Sequence, residues 1–308
     1  MKDYLHILAS IDDNFLLGHK VCVYSLYKTQ ELPIKLWLVD LTLSREAKED
    51  LLKFYKLLNI SYQCIEIPNK IKEVFDTINK NFSKRIKQEK LSIEAFVRLF
   101  ITHLIPEDVK KILWLDADTI VVKSLTSFWE KDFEGNLISG VDPSAIYYDW
   151  APISERWKAL NQIRNNIFVL GTGVIKYNLE EIRKNNFSIN FLKEFILNKD
   201  ISIFDKGPVN TLTFLLYRGK AQQMDIIYNF EAPLEKKRFK IWKPFFNNPK
   251  EYYSRFNDAR IIHYLSPLKP WDIPKKEILN IPIAKPWIDM KEGMINFLTK
   301  GESINEHL

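Results

Sequence analysis

Residues 111–122 read KILWLDADTIVV. Lys111–Leu115 is a short apolar run with the length of a buried strand, and it leads directly into Asp116. After Asp118, the apolar residues Ile120–Val122 continue the chain. The stretch therefore predicts a central strand with two carboxylates at its carboxyl end.

Upstream of this strand, further strand-like segments alternate with segments of helical length. A helix is predicted at Leu16–Lys28, and another begins at Ser44, an N-cap residue type, and runs to about Leu58. The predicted strands are Leu5–Ser10, Lys35–Asp40 and Ser61–Ile67. Because strands that alternate with helices build βαβ units, we expect an α/β protein with a largely parallel sheet.

The rest of the chain is less regular. The other predicted elements are a short helix and mobile loop in Lys70–Lys90, a helix at Ile93–Leu104 that Pro106 ends, and strands at Asn136–Val141 and Ile167–Tyr177. Beyond Leu234 the sequence becomes basic, aromatic and proline-rich, and its periodicity fades. We expect a catalytic α/β domain over residues 1–233 and an irregular C-terminal extension over residues 234–308.

The composition is that of an ordinary globular protein of 308 residues, with 46% hydrophobic and 27% charged residues. A net charge of +6 suits an anionic small ligand or an acidic membrane surface. It argues only weakly for nucleic acid, so we expect no nucleic-acid partner. The two cysteines, Cys22 and Cys64, lack metal-type spacing and are expected to be reduced, buried thiols.

The N-terminal stretch carries Asp3, Asp12 and Asp13, which argue against a secretory signal. No apolar run approaches the roughly 18 residues that a membrane span needs. The expected location is therefore the cytoplasm or the cytoplasmic face of a membrane.

Asp116 and Asp118 are the first candidate site residues. On an extended chain, side chains two residues apart point the same way, so both carboxylates can reach one divalent cation that prefers oxygen ligands. Carboxylates at the carboxyl end of a strand also lie where open α/β sheets bind ligands. A solvated turn is the alternative, but the apolar residues on both sides favour a metal site.

A second candidate motif lies in residues 263–271, which read HYLSPLKPW. His263 follows a predicted strand end at Ile261 and Ile262, and a neutral imidazole there can complete a metal shell begun by carboxylates. Lys269 offers a positive charge to a phosphate. A lone histidine is more often a hydrogen-bonded core residue and a lone lysine a solvated one, but their pairing in a proline-bounded loop favours a site.

Together the two motifs resemble glycosyltransferase family 8, a retaining family that includes bacterial lipooligosaccharide galactosyl- and glucosyltransferases and glycogenin. The resemblance spans roughly Ile7 to Trp271. It implies a GT-A type fold, with a Rossmann-like mixed central sheet flanked by helices. It also implies a UDP-sugar donor, Mn²⁺ or alternatively Mg²⁺, and a saccharide or lipid-linked saccharide acceptor in cell-surface glycan or lipopolysaccharide synthesis.

The resemblance assigns roles to individual residues. Asp12 and Asn14, in the segment ASIDDNF (residues 9–15), would hold the uracil and ribose, with backbone near Ser10 assisting. Arg98, in AFVRL, would reach the diphosphate and the sugar. The other implied residues are the manganese ligands Asp116, Asp118 and His263, the donor-site residues Asp116, Ala117, Ser266 and Lys269, and Asp142 near the sugar pocket.

Three departures from the family pattern bear on the donor sugar. Residues 170–174 read LGTGV where the family usually shows FNAGV or FNSGV, so Gly171 replaces an asparagine that touches the sugar. In DKGPVN (residues 205–210), Asp205 remains as the acceptor of a sugar hydroxyl, but Lys206 replaces a glutamine beside the anomeric carbon. Ser266 replaces the usual glycine of the phosphate loop.

The implied reaction is retaining transfer with an oxocarbenium-like transition state. A protonated Lys206 cannot act as a nucleophile toward the sugar, and its charge would oppose that transition state. We therefore expect front-side attack, with Lys206 turned toward phosphate or an acidic acceptor.

Two other functions remain open at the level of sequence. The changes at Gly171 and Lys206 are compatible with a UDP-sugar-binding protein that lacks transferase activity. A nucleotidyltransferase is less consistent, because residues 10–14 contain no glycine to cradle phosphates.

A basic and aromatic segment, residues 234–256, holds seven Lys or Arg and seven aromatic residues. Such a segment can lie on an anionic membrane where a lipid-linked acceptor is presented. A surface loop that covers the donor site is the equal alternative.

Overall fold

The computed structural model describes residues 4–89, 93–141, 171–198, 208–234, 249–265 and 268–305. Its strands are β1 (Leu5–Ser10), β2 (Ile34–Val39), β3 (Ser61–Ile65), β4 (Lys111–Leu115), β5 (Thr119–Val121), β6 (Ile138–Gly140), β7 (Val174–Asn178), β8 (Ala221–Gln223), β9 (Phe230–Glu231) and β10 (Ile261–His263). Its α-helices are α1 (Leu16–Thr29), α2 (Arg45–Leu57), α3 (Asn69–Glu89), α4 (Ile101–Leu104), α5 (Thr126–Glu130), α6 (Leu179–Lys184), α7 (Ile189–Asn198), α8 (Pro208–Leu216), α9 (Pro249–Asp258), α10 (Lys275–Ile278) and α11 (Lys285–Asn305). Short 3₁₀ helices cover Asp13–Phe15, Ile93–Phe100, Ile226–Tyr228, Pro270–Asp272 and Pro282–Ala284.

In the described ranges, the central sheet has seven strands in the order β3-β2-β1-β4-β7-β6-β8. β7 runs antiparallel to both of its neighbours, and the other pairs are parallel. The expected mixed, Rossmann-like sheet flanked by helices is confirmed. Because β1 and β4 are parallel neighbours, the chain segments after Ser10 and after Leu115 leave the same edge of the sheet.

Both faces of the sheet are buried. Ile7 and Leu113 enter one core, which includes residues of α1, whereas Leu8 and Trp114 enter the other, which includes residues of α3. Successive strand residues point to opposite faces, so near-continuous apolar strands such as Lys111–Leu115 need a helical layer on each side.

The segment Lys70–Lys90 was expected to combine a short helix with a loop, and that prediction was wrong. Helix α3 is continuous over 21 residues, Asn69–Glu89. Its buried residues Ile71, Val74, Phe75 and Ile78 recur at helical spacing and form one apolar stripe. The many lysines of the segment obscured this stripe in the sequence.

Other predicted elements differ in type or length. Ile93–Leu104 is helical as predicted, but its first eight residues form a 3₁₀ helix before α4 begins. The strand predicted at Ile167–Tyr177 begins at Val174 in the described part of the chain, since residues 167–170 lie outside it.

The C-terminal extension contributes regular elements as well as irregular ones. Strand β10 pairs antiparallel with β5 and parallel with β9 in a second, three-stranded sheet. Helix α11 packs against α1, where the rings of Tyr24 and Phe297 lie 6.0 Å apart. The proposed boundary between residues 1–233 and 234–308 stays a prediction.

Within the described ranges, none of the helices combines the length and the apolar character needed to cross a bilayer.

Candidate metal centre

Asp116 and Asp118 lie in a tight turn between β4 and β5. The Thr119 backbone N–H donates to the Asp116 carbonyl at 3.1 Å, and the Thr119 hydroxyl donates to the same oxygen at 2.7 Å. The expectation that an extended chain would align the two carboxylates was therefore wrong about the local backbone. The turn is nevertheless not a solvated one, because Ala117 and Asp118 are buried.

Strand β10 brings His263 to this turn. His263 pairs with Thr119 across the β5–β10 ladder, and the Tyr264 backbone N–H donates to the Asp118 carbonyl at 2.9 Å. His263 Nε2 then lies 3.2 Å from Asp118 Oδ1. Asp116, Asp118 and His263 each offer a ligand atom, and these three atoms lie within 4.8 Å of one another.

The donor set fits a divalent cation. His263 Nε2 is buried and has no hydrogen-bond partner among the described residues, although a carboxylate oxygen is close to it. Two carboxylates and one imidazole are ligands that Mn²⁺, Mg²⁺ and related ions accept, with imidazole favouring the transition metals. The arrangement supports a divalent metal site.

Gly173 makes room for this triad. A Cβ atom at this position would lie 2.2 Å from His263 Cε1 and 3.0 Å from Asp116 Oδ2. The Gly173 carbonyl also accepts from the Asp116 backbone N–H at 2.8 Å. Glycine is thus required at position 173 because two candidate ligands approach its backbone closely. The sequence alone did not reveal this role.

Two residues that the sequence analysis did not select hold the candidate ligands in place. The indole Nε1–H of Trp114 donates to Asp116 Oδ1 at 2.6 Å. Asn229 Oδ1 lies 3.0 Å from His263 Nδ1. Trp114 precedes Asp116 by two residues and could have been found from strand alternation, whereas no local signal links Asn229 to His263.

Two cations face the carboxylates. Arg98 contacts Asp116 Oδ1 at 3.0 Å, donates to the Thr172 carbonyl, and stacks over Trp114 with its guanidinium carbon 4.2 Å from the ring centre. Lys269 Nζ lies 2.6 Å from Asp118 Oδ2. Arg98 and Lys269, both selected from the sequence, are thus brought to the same site.

The charges of the site shift its titration. Burial alone would raise the pKa of Asp118, but the nearby His263 and Lys269 lower that pKa overall. Burial alone would lower the pKa of His263, but the Asp118 carboxylate raises it overall. Asp118 is therefore ionised, as a metal ligand must be.

The loop that carries Lys269 is anchored by Trp271. The Trp271 ring sits against Gly18, where a Cβ atom would be only 2.4 Å from it, and it meets the ring of Phe15 at 5.7 Å. The Asp272 carboxylate accepts from the Lys269 backbone N–H at 3.1 Å. These contacts connect the loop that carries Lys269 to the segment after β1.

The predicted nucleotide-binding residues lie at that turn. Ser10 ends β1 and its hydroxyl donates to the Val39 carbonyl at 3.1 Å. The Asp12 carboxylate accepts from the Asn14 backbone N–H at 3.0 Å, and Asn14 is exposed. The remaining predicted site residues, Asp142, Asp205, Lys206 and Ser266, lie outside the described residues.

Comparisons with known proteins agree with this architecture. A family model described as Glycosyl transferase family 8 matches residues 6–273. The chain is similar to Arabidopsis thaliana probable galacturonosyltransferase-like 4, with 25% identity over 140 residues, covering 44% of this chain and 38% of that protein. It is also similar to a putative glycosyltransferase of Haemophilus influenzae, with 21% identity over 231 residues, covering 73% and 63%. The matched part is thus less than two thirds of either relative.

Solved structures share the fold. The galactosyltransferase LgtC, solved with donor and acceptor sugar analogs, superposes with a TM-score of 0.67 at 17% identity, covering 94% of this chain and 95% of that one. The Streptococcus pneumoniae glycosyltransferase GlyE gives a TM-score of 0.60 at 16% identity, covering 94% and 63%. The fold is thus the GT-A fold of these enzymes. Because the family model matches nearly the whole chain, the chain belongs to glycosyltransferase family 8.

Proposed function

We propose that the chain is a retaining glycosyltransferase that moves a hexose from a UDP-sugar to a saccharide acceptor with the help of a divalent metal ion, Mn²⁺ in the first instance. The observation that supports this most strongly is the meeting of Asp116, Asp118 and His263 at the edge of a GT-A sheet, with a buried Nε2 atom that has no hydrogen-bond partner in the described part of the chain.

Asp116, Asp118 and His263 would hold the ion. When bound, the ion would supply positive charge that offsets the negative charge growing on UDP as it leaves. Two of these ligands are already oriented by a neighbour, Asp116 by Trp114 and His263 by Asn229. This preorganisation supports a site that needs little rearrangement to take up the ion.

Lys269 and Arg98 supply positive charge at the same place. Both side chains contact the acidic ligands, so a diphosphate held there would lie within their reach. A cation aimed at the leaving phosphate stabilises charge as it develops, which is where electrostatic catalysis acts. We assign Lys269 to the leaving phosphate and Arg98 to the diphosphate and sugar.

The turn after β1 would hold the nucleoside. Asn14 is exposed there and free to meet a ribose hydroxyl, and Asp12 lies two residues earlier. The Ser10 hydroxyl is occupied by the Val39 carbonyl, which supports assistance from backbone and not from this side chain.

The sugar-handling roles of Asp142, Asp205 and Lys206 rest on the family resemblance. Asp205 would accept a sugar hydroxyl, Asp142 would line the sugar pocket, and Lys206 would face phosphate or an acidic acceptor. We propose front-side attack, because a protonated Lys206 at the family's glutamine position cannot act as a nucleophile toward the sugar.

The acceptor would be a growing cell-surface glycan, either free or lipid-linked. The basic aromatic segment 234–256 supports a membrane-presented acceptor through its charge and rings. A loop that closes over the donor is the competing role for the same segment.

A donor screen tests the proposal. UDP-glucose, UDP-galactose and UDP-galacturonate are incubated with Mn²⁺, and UDP release is measured with and without saccharide acceptors. UDP-galacturonate is included because the Arabidopsis relative is named a probable galacturonosyltransferase-like protein. We expect UDP release with one donor, loss of it on chelation, and loss of it in Asp118→Asn. UDP-sugar binding without any release would favour the binding-protein alternative.

A further inference from the structure

Asn229 and His263 lie 34 residues apart in the chain and meet in the interior. Asn229 Oδ1 is 3.0 Å from His263 Nδ1, and the two residues are 1% and 2% exposed. The other ring nitrogen, Nε2, faces Asp118 and has no hydrogen-bond partner among the described residues. The two nitrogens of this imidazole therefore have different surroundings.

The backbone fixes Asn229 at this place. Its N–H donates to the Ile226 carbonyl at 3.0 Å, which closes the 3₁₀ turn before β9. β9 then pairs parallel with β10, and the Ala232 N–H donates to the His263 carbonyl at 2.8 Å. Asn229 is thus held by the same ladder that holds His263, so their side chains have little freedom to separate.

A neutral imidazole carries one N–H and one acceptor nitrogen, and the partner of one nitrogen determines the state of the other. Because a carbonyl oxygen can only accept, Asn229 Oδ1 places the hydrogen on Nδ1. The lone pair is then on Nε2, which points at Asp118. We propose that Asn229 is the positioning residue that keeps His263 in the Nδ1–H tautomer and thereby makes Nε2 a metal ligand.

The opposite arrangement would have a different consequence. If Asn229 Nδ2 donated to Nδ1, the hydrogen would lie on Nε2, 3.2 Å from Asp118 Oδ1, and His263 would not be a ligand. Aspartate at position 229 separates the two cases, since its carboxylate accepts from Nδ1–H and has no N–H to donate. Leucine has a similar size and can do neither.

The test measures Mn²⁺ affinity without any sugar donor, by electron paramagnetic resonance of free Mn²⁺, together with the thermal midpoint. This inference rests on the metal site of the proposed function. We expect Asn229→Leu to weaken Mn²⁺ binding about ten- to a hundredfold, the usual effect of losing an outer-shell partner. Asn229→Asp should bind Mn²⁺ close to the wild-type level.

Gln222→Met is the matched control. Gln222 is also a buried amide, bonded to Ser139 and to the Asp132 carbonyl, but it lies on β8 and not at the site. The Gln222→Met protein should be less stable than the wild type and should keep the wild-type affinity for Mn²⁺. A comparable loss of affinity in this variant would attribute the Asn229 effect to general destabilisation and overturn the proposal.

Other results also decide the matter. Unchanged Mn²⁺ affinity in Asn229→Leu, or an Asp variant as weak as the Leu variant, would overturn the role of Asn229 while the metal site itself stands. Absence of Mn²⁺ binding in the wild type would instead reject the metal site, and this inference with it. If Asn229→Leu does not fold, ¹⁵N-histidine NMR of the metal-free wild type, at a pH where His263 is neutral, reports directly whether Nδ1 or Nε2 carries the hydrogen; a hydrogen on Nε2 would overturn the proposal.

Discussion

Lys269 Nζ lies 2.6 Å from Asp118 Oδ2, although the two residues are 151 positions apart in the chain. On the neighbouring carboxylate, Arg98 contacts Asp116. Each carboxylate of the candidate metal centre is therefore paired with a cation. An unpaired buried charge is costly, so the contact with Lys269 stabilises the buried carboxylate of Asp118.

Lys269→Met should change two affinities in opposite directions. Losing a charged hydrogen bond to the diphosphate costs roughly 1.5–3 kcal/mol, about ten- to a hundredfold in UDP affinity. Mn²⁺ alone should bind more tightly, because a positive charge beside Asp118 is removed. Calorimetric titration measures both affinities. Lys285→Met is the control, because Lys285 is an exposed lysine paired with Asp289 on α11. If Lys269→Met bound UDP with unchanged affinity, Lys269 would have only a structural role.

Gly173→Ala should displace His263. The new methyl group would lie 2.2 Å from His263 Cε1, so the ring must move and the triad must open. We expect a folded protein whose Mn²⁺ affinity falls at least about tenfold. Gly293→Ala is the control, since its Cβ would meet Tyr24 no closer than 3.3 Å and alanine favours the helix. Equal Mn²⁺ affinities in both variants would show that the site tolerates the methyl group.

Lys206→Gln restores the residue type that the family usually carries. If the lysine holds phosphate or an acidic acceptor, transfer should slow while hydrolysis of the UDP-sugar stays nearly intact. The rates of hydrolysis and transfer are measured side by side with the donor identified in the screen. An enzyme that becomes faster in both assays would indicate that the ammonium opposes charge at the anomeric carbon.

His19 should make the protein acid-sensitive. It is buried with Nε2 2.6 Å from the Tyr55 hydroxyl, and burial lowers its pKa to about 4. Between pH 6.5 and 4 the unfolded chain binds a proton that the folded protein does not, so the free energy of unfolding falls as pH falls. The loss from pH 7 to pH 4 should be roughly 3 kcal/mol larger in the wild type than in His19→Gln. Urea denaturation between pH 4 and pH 7 measures the free energy of unfolding of both proteins. If that free energy changed with pH equally in the wild type and in His19→Gln, a buried neutral His19 would be contradicted.

Much of the fold followed from local patterns. The apolar run Lys111–Leu115 and the strand Leu5–Ser10 have the length and composition of buried strands, and both formed as predicted. Ser44 caps α2 as expected, accepting from the Ala47 N–H at 3.2 Å. The local pattern did not predict the full length of α3. The lysines between its apolar residues made the segment look like a polar loop, and the apolar stripe is recognised only from the residues that are buried in the fold.

The sequence by itself determined which groups are available: two carboxylates after a buried strand, and an imidazole and an ammonium in one short motif. Tertiary structure alone decided how they meet. The β5–β10 ladder joins segments 140 to 144 residues apart and gives His263 its distance to Asp118, and the pairing of β10 with β9 brings it to Asn229. Such pairing depends on which strands become neighbours in a closed, buried sheet, and no local propensity encodes that choice.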